Sequence, residues 1–192
     1  MVFMKYGIKS VNMDDVARNL GISKKTLYKY VTDKNDLLTK ALALHARDES
    51  EAMDAIFSKK LNAIDEMLEI SSYVSGILKQ IHPSIHFDLE KYHPEVMKNM
   101  RDAHETMIYQ CMKSNMEKGI EEGLYRKDLN VHVIAKIYIE KMDATFNSEI
   151  FPPQEFSFPD VYMEYFRYHI RGIASEKGIK YLTEKVKNLS QR

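Results

Sequence analysis

The segment from Asn12 to Asp36 constrains this chain more than any other, because it predicts two short helices joined by a tight turn. The first helix is predicted over residues 13–20, where Met13, Val16, Ala17 and Leu20 recur at the spacing of one buried helical face. Asn12 is a suitable N-cap, and an acid follows in the first turn, where it faces the positive end of the helix dipole. Gly21 ends the helix at a position that favours a positive φ angle.

The second helix of the pair begins after Ser23, a good N-cap, and is predicted over residues 24–30 with Leu27 and Val31 facing inward. The small side chains of Ala17 and Gly21 would let the two helices cross closely. This is the helix-turn-helix arrangement, in which the second helix enters the DNA major groove. A plain helical hairpin with a solvated basic surface is the alternative. The residues predicted to reach bases or phosphates are Ser23, Lys24, Lys25, Thr26, Tyr28, Lys29 and Tyr30.

The distribution of charge agrees with DNA binding by the N-terminal part of the chain, residues 1–40, which we call the head. The whole chain has a formal net charge of zero, with 28 basic and 28 acidic residues. Residues 1–40 hold eight of the basic residues and four of the acidic ones, a net charge of +4. The remaining 152 residues therefore carry a net charge of −4. Attraction to phosphate is expected at the head alone.

The same segment resembles the DNA-binding domain of the tetracycline-repressor (TetR) family of bacterial regulators. The matching residues cover about the first forty positions: Gly7, Val16-Ala17, Leu20-Gly21-Ile22-Ser23, Thr26-Leu27-Tyr28, Tyr30, Lys34 and Leu37-Leu38. A weaker likeness to the last helices of many members lies at Arg171-Gly172-Ile173-Ala174 and Gly178.

The resemblance implies several further properties. It implies that Lys34 contacts a DNA phosphate, and that residues 43–192 form a helical ligand-binding and dimerisation domain behind a helix-turn-helix domain at 1–42. It also makes the first helix, ending at Gly7, shorter than in most members. We expect either a start further upstream or a trimmed head, and restoring upstream codons should then raise DNA affinity.

The rest of the chain predicts helices only, so the expected fold class is all-α. No segment alternates like a strand, and no Asn-Gly or Asp-Gly hairpin signal occurs. The helices are predicted over residues 34–58, 62–81, 94–118, 131–148 and 160–175, with a short one after Gly178 and with connecting segments at 82–93 and 150–159. In the 94–118 helix the predicted apolar face is Val96, Met100, Ala103, Met107 and Cys111. Pro94 fits the first turn of that helix, and Asn130 is the predicted cap of the 131–148 helix.

Two groups of apolar and aromatic residues in the body have functional interpretations. An adaptable ligand pocket, whose existence rests on the resemblance, could be lined by Met67, Tyr73, Phe87, Tyr92, Met100, Met107 and Tyr109; plain core packing is the alternative. The helices at 131–148 and 160–175 are predicted to pair with their copies across a two-fold axis through Ile134, Tyr138, Met142, Tyr162, Tyr165, Phe166, His169, Gly172 and Ile173. Here the alternative is an internal core of one subunit.

Neither a metal site nor a cofactor is predicted. His82, His86, His93 and His104 lack partner cysteines and any HExxH spacing, and Pro83 interrupts the first pair. The single cysteine, Cys111, excludes an internal disulfide and fits a small buried residue. The longest run free of Asp, Glu, Lys and Arg, Ile70 to Leu78, is far shorter than the roughly 20 apolar residues of a membrane helix. With no signal peptide, we expect a cytoplasmic protein.

The favoured function is therefore a homodimeric regulator, usually a repressor in this family, that binds a palindromic operator on double-stranded DNA. A small-molecule effector, unidentified by the sequence, would change the separation of the two heads through the long 34–58 helix. An orphan dimer that has lost DNA binding and acts as an interaction module is the second hypothesis. An enzyme using the helical cavity has no positive feature behind it, so none is predicted.

Overall fold

The computed structural model describes residues 2–189 and is built from helices over that range, which confirms the all-α fold class. Its helices are α1 (Val2–Tyr6), α2 (Met13–Asn19), α3 (Lys24–Leu27), α4 (Lys34–Ser58), α5 (Ala63–Leu78), α6 (Ile85–Tyr92), α7 (Pro94–Glu121), α8 (Val131–Ala144), α9 (Phe158–Ile173) and α10 (Glu176–Leu189). Within the described range, β-pairing is confined to one isolated antiparallel bridge, Tyr125 with Ala174.

Several helix ends lie where local chemistry predicts them. The side chain of Asn130 accepts the amide hydrogen of Val133 at 3.2 Å and caps α8. Pro94 begins α7, because its fixed φ suits the first turn and its missing N–H is not needed there. Other ends differ from the prediction. α9 begins two residues before Asp160, capped by Ser157, and the 82–93 segment contains the helix α6.

The chain divides into two compact units. The first comprises residues up to Ala52 together with Ile77–His104, and the second comprises Met53–Gly76 with the chain from Glu105 onward. The core of the first unit joins buried residues of α1 to α4 with others from α6 and the start of α7, such as Leu89 and Met97. These units differ from the predicted domains 1–42 and 43–192, and that functional boundary at residue 42 remains a prediction.

The second unit has an apolar core crossed by a buried polar network. The carboxylate of Glu66 accepts the side-chain amide of Asn115 and the ammonium of Lys118, each at 2.7 Å. The Tyr125 hydroxyl donates to Asn115 Oδ1 at 2.9 Å. Gly119 is buried beside this ring, and a Cβ added there would lie 2.1 Å from a Tyr125 carbon. Glycine at 119 is therefore set by the close approach of Tyr125.

The buried face of α7 differs from the predicted one. Val96 is buried, but Ala103 is exposed, and Met100, Met107 and Cys111 are half-buried. The other buried side chains of α7 are those of Met97, Met112, Asn115 and Met116. A 28-residue helix at 3.6 residues per turn drifts around its axis relative to a strict repeat, so one periodic face does not serve its whole length. Burial and the nearby Glu66 carboxylate raise the pKa of the Cys111 thiol to about 12.

Candidate DNA-binding surface

The first helix of the pair, α2, is held at its start by a reciprocal cap. Asn12 Oδ1 accepts the amide hydrogens of Asp14 and Asp15 at 2.9 Å each, and the Asp15 carboxylate accepts the Asn12 amide hydrogen at 3.0 Å. Such a capping box satisfies backbone donors that a helix start leaves unpaired. The predicted cap at Asn12 is confirmed.

The turn between α2 and α3 depends on the backbone conformation of one residue. Gly21 has φ +67°, a left-handed conformation that L side chains rarely adopt. A Cβ placed there would meet no described atom within 4 Å, so Gly21 serves the turn and not a close crossing of helices. Leu20, predicted on the buried face, is 58% exposed, because α2 ends at Asn19 and the chain has begun to turn.

The second helix of the pair, α3, begins at its predicted cap. Ser23 Oγ accepts the Thr26 amide hydrogen at 3.0 Å, and Leu27 and Val31 are buried as expected. The helix ends at Leu27, and residues 28–30 continue as a turn, so α3 is shorter than the predicted 24–30. Its buried residues and those of α2 share one core, which fixes the outward face.

The residues predicted to contact DNA are presented on that outward face. Thr26 is half-buried. The other six on the tip are exposed: Ser23, Lys24, Lys25, Tyr28, Lys29 and Tyr30. The Lys24 ammonium lies 3.0 Å from an Asp14 carboxylate oxygen, and this hydrogen bond raises the lysine pKa. Both side chains of that pair are at least half exposed, so the pair is open to competition from a phosphate.

Lys34 occupies a different position from the other predicted contacts. It is half-buried, and its ammonium donates to the backbone carbonyls of Ile8 and Val11 at 2.6 Å each. It also lies 5.7 Å from the centre of the Phe3 ring. Desolvation lowers its pKa from the ordinary value. The ammonium therefore holds the turn between α1 and α2, and a phosphate contact by Lys34 remains a prediction.

Sequence reasoning missed Asp88, which is 4% exposed in the first unit. Its Oδ2 accepts the amide hydrogens of Ile8 and Lys9 at 2.9 Å each. Nothing in the local pattern of residues 82–93 distinguishes this acid from its neighbours, because its partners lie about 80 positions away in the chain.

The predicted pocket residues are divided between the two units. Met67, Tyr73, Met107 and Tyr109 belong to the second unit, where Met67 is fully buried and the Tyr109 hydroxyl lies 2.7 Å from His132 Nδ1. Phe87, Tyr92 and Met100 belong to the first unit, where the first two are exposed. One pocket lined by all seven remains a prediction.

Most of the predicted dimer residues lie inside the subunit. Tyr138, Tyr162, Phe166, His169 and Ile173 are buried within one chain, where α8 and α9 pack together. Because little of these five side chains is accessible on one chain, their packing favours the alternative of an internal core, and their part in a dimer interface remains a prediction. The other four predicted residues keep accessible surface: Ile134, Met142 and Tyr165 are half-buried and Gly172 is exposed. Their place in a dimer interface remains a prediction.

The histidines considered as metal ligands have separate surroundings. His82 Nδ1 lies 3.0 Å from Ser84 Oγ, His93 Nδ1 hydrogen-bonds Asn35 Oδ1, and His104 Nε2 lies 3.3 Å from a Glu49 oxygen. Across residues 2–189 no group of three His, Cys, Asp or Glu side chains could hold a metal ion. In the same range no helix is long and apolar enough to cross a membrane.

Residues 1–41 match the family of bacterial regulatory proteins, tetR family. Residues 1–41 therefore carry a DNA-binding region of the TetR type. The match coincides with the capped α2–α3 pair and the exposed tip described above. The TetR family is not a family of enzymes; its members bind DNA and respond to small-molecule effectors.

Solved structures extend the likeness of fold beyond this region, to about nine-tenths of the chain. A transcriptional regulator from Cytophaga hutchinsonii ATCC 33406 has a TM-score of 0.72 at 15% identity, covering 90% of this chain and 93% of that one. A TetR-family regulator from Agrobacterium tumefaciens has a TM-score of 0.69 at 13% identity, with 90% and 92% covered. A protein from Saccharomonospora viridis assigned as a transcriptional regulator, crystallised with choline, has a TM-score of 0.65 at 16% identity, with 91% and 93% covered. Among proteins of curated function, none matches this chain in sequence.

Proposed function

We propose that this protein is a homodimeric TetR-family repressor that binds a palindromic operator and is released by a small molecule. The exposed cationic tip from Ser23 to Tyr30 carries the proposal, because its backbone is held by a cap at each helix start and by a buried core beneath. A rigid basic surface on a short helix suits the major groove. We place this activity in the cytoplasm, where the chromosome is accessible.

Within the tip, the proposed roles follow side-chain chemistry. Ser23 and Thr26 have hydroxyls that can donate or accept at base edges, although their oxygens now lie 2.8 Å from each other. Lys24 and Lys25, with Lys29, supply charge for phosphates or guanine acceptors. Tyr28 and Tyr30 can donate their hydroxyls to phosphate oxygens. Lys34 would add a phosphate contact only through the N–H that the two backbone carbonyls leave unused.

The two-fold pairing is proposed through the outer faces of α8 and α9. Val133 and Ile137 are each 49% exposed and one helical turn apart on α8, and Tyr168 on α9 is 82% exposed. Gly172, four residues after Tyr168, leaves open space above the helix, since an added Cβ would meet no described atom within 4 Å. An exposed apolar strip on two packed helices fits a four-helix interface between two copies.

The effector is proposed to bind among the helices of the body. The choline held by the Saccharomonospora viridis protein supports a small molecule in this fold, but it does not define the ligand here. Of the predicted lining, Met67, Tyr73, Met107 and Tyr109 share the second unit. The helix α4 is continuous from Lys34 to Ser58 and has residues in both units, so it is the covalent path we propose for the signal.

The DNA-binding proposal is tested by fluorescence anisotropy with labelled duplexes that tile the region upstream of the protein's own gene. We expect one duplex to bind at physiological salt, with unlabelled random DNA at 100-fold excess failing to displace it. Binding that random DNA displaces equally, or no binding to any duplex, would contradict the operator proposal. A dimer that fails to bind would favour the orphan interaction module.

The pairing is tested by sedimentation of Ile137→Glu beside the control Ile179→Glu. Both positions are exposed aliphatic residues of the second unit, 49% and 37% exposed, so neither change should disturb the subunit core. A buried charge at a two-fold axis is placed opposite its own copy and costs several kcal/mol. We expect a dimer for wild type and for the control, and a monomer for Ile137→Glu. A monomeric wild type would refute the pairing.

A further inference from the structure

The turn between α1 and α2, residues 7–11, is hydrogen-bonded by two charged side chains from different helices. The buried Asp88 carboxylate, on α6, accepts the amide hydrogens of Ile8 and Lys9 at 2.9 Å each. The Lys34 ammonium, on α4, donates to the carbonyls of Ile8 and Val11 at 2.6 Å each. The anion thus takes the donors of the turn and the cation takes its acceptors.

The start of α6 and the residues before it also contact the end of α1. The His82 amide hydrogen is donated to the Met4 carbonyl at 2.8 Å. Gly7 has φ +80°, and a Cβ added there would lie 2.5 Å from Ser84 Oγ, so any side chain would be both strained and crowded. Ser84 Oγ itself donates to Asp88 Oδ2 at 3.1 Å. The segment from His82 to Asp88 is therefore fitted closely to this turn.

The turn leads straight into the recognition pair. Val11 is buried, and the next residue, Asn12, caps α2, whose Val16 and Ala17 share a core with Leu27 of α3. A shift of the 7–11 turn therefore moves the start of α2 and, through the shared core, α3. The Ile8 amide hydrogen is buried, and without its carboxylate acceptor it would have to be hydrated or left unpaired.

We propose that Asp88 is a positioning residue for DNA recognition. By accepting the Ile8 and Lys9 amide hydrogens, while Lys34 binds the carbonyls of the same turn, it holds α2 and α3 in the DNA-binding arrangement. This inference rests on the proposed function, since it needs an operator to measure. It predicts a change in DNA affinity opposite to the one that the charge alone would cause. Removing an acid from a DNA-binding unit should strengthen binding through long-range electrostatics alone. Loss of positioning weakens binding instead.

The test compares Asp88→Ala with Glu90→Ala, which removes the same charge from an exposed position on the same helix. With the wild-type upstream duplex, we expect Asp88→Ala to bind about tenfold or more weakly, the scale of lost hydrogen bonds to a charged group. Glu90→Ala should bind as well as wild type or slightly better. Equal binding by the two variants, or a gain in both, would overturn the proposal.

A local measurement separates positioning from general loss of stability. Amide hydrogen exchange at Ile8 and Lys9, followed by NMR without DNA, should quicken about tenfold or more in Asp88→Ala, while amides of α8 and α9 keep their wild-type rates. Uniform acceleration across the chain would mean that Asp88 acts only on overall stability. Unchanged rates at Ile8 and Lys9 would contradict the contact itself.

The conservative variant Asp88→Asn keeps an oxygen acceptor but loses the charge, and it is the variant to use if Asp88→Ala does not fold. We expect it to bind DNA less tightly than wild type, because neutral hydrogen bonds are weaker than charge-assisted ones. Where Asp88→Ala folds, binding by Asp88→Asn should lie between it and wild type. Tighter binding by Asp88→Asn would refute positioning. If wild type itself binds no duplex, the proposed function fails, whereas the exchange result at Ile8 and Lys9 still decides the contact.

Discussion

The substitution Lys25→Gln offers a direct count of the DNA-binding heads that act together. The side chain of Lys25 is exposed on α3 and has no hydrogen bond or ion pair to any group that the structure describes, unlike that of Lys24, which is paired with Asp14. Its charge is therefore available to a phosphate without first breaking an internal contact. Each phosphate neutralised contributes about 0.9 to the slope of log affinity against log salt concentration.

Two heads on a palindrome each lose one contact in this variant, so the slope should become shallower by about 1.8. Raising the salt concentration threefold should then weaken binding of the variant about sevenfold less than binding of wild type. The measurement is anisotropy with the upstream duplex at five sodium chloride concentrations. A matched control is Lys180→Gln, which removes an exposed lysine from α10 and should leave the slope unchanged.

The possible outcomes separate the claims. A slope unchanged in Lys25→Gln would refute its phosphate contact. A change of about 0.9 would mean that one head alone binds, against the two-fold operator. An equal change in Lys25→Gln and Lys180→Gln would show that total charge matters and the helix tip does not.

Two further predictions concern the second unit. Burial lowers the pKa of His169 to about 4, well under its ordinary 6.5, so the unfolded state binds the extra proton and the fold loses stability as pH falls from 6.5 towards 4. Urea denaturation should show wild type losing about 2 kcal/mol more than His169→Gln between pH 7 and pH 5, and parallel losses in the two proteins would contradict this. In Gly119→Ala, the added methyl meets the Tyr125 ring at 2.1 Å and should cost about 1–3 kcal/mol of unfolding free energy. Gly76→Ala, on α5, where the methyl enters open space, should stay within about 1 kcal/mol of wild type, and an equal loss in both alanine variants would refute the packing argument.

The parts of the fold that follow from short-range chemistry are those that the sequence predicts well. Asn12, Ser23 and Asn130 cap the helices they precede, and α4 has its predicted bounds. Each depends on a side chain reaching backbone groups two or three positions away, or on an uninterrupted run without Gly or Pro. Such signals are complete within a few consecutive residues.

The direction in which an apolar face points is not a short-range property. Tyr138 and Phe166 have the helical spacing expected of either a dimer surface or a subunit core, and periodicity does not distinguish the two. The packing of α8 on α9 places both in the core. Ala103 is exposed for the same reason: a repeat shows that a face exists, while the neighbouring helices determine which residues that face buries.

The sequence by itself determined that this chain has a helix-turn-helix head with a basic tip, because caps, a turn glycine and lysines act over a few positions. Only the tertiary structure decided what holds that head in place. Asp88 and Lys34 lie 54 positions apart and both hydrogen-bond the backbone of Ile8, a juxtaposition that exists only once α4 and α6 have packed beside the α1–α2 turn. Hydrogen bonds between distant positions leave no periodic pattern in a single sequence. An aspartate that will be buried with such partners cannot be told from an exposed aspartate by its neighbours in the sequence.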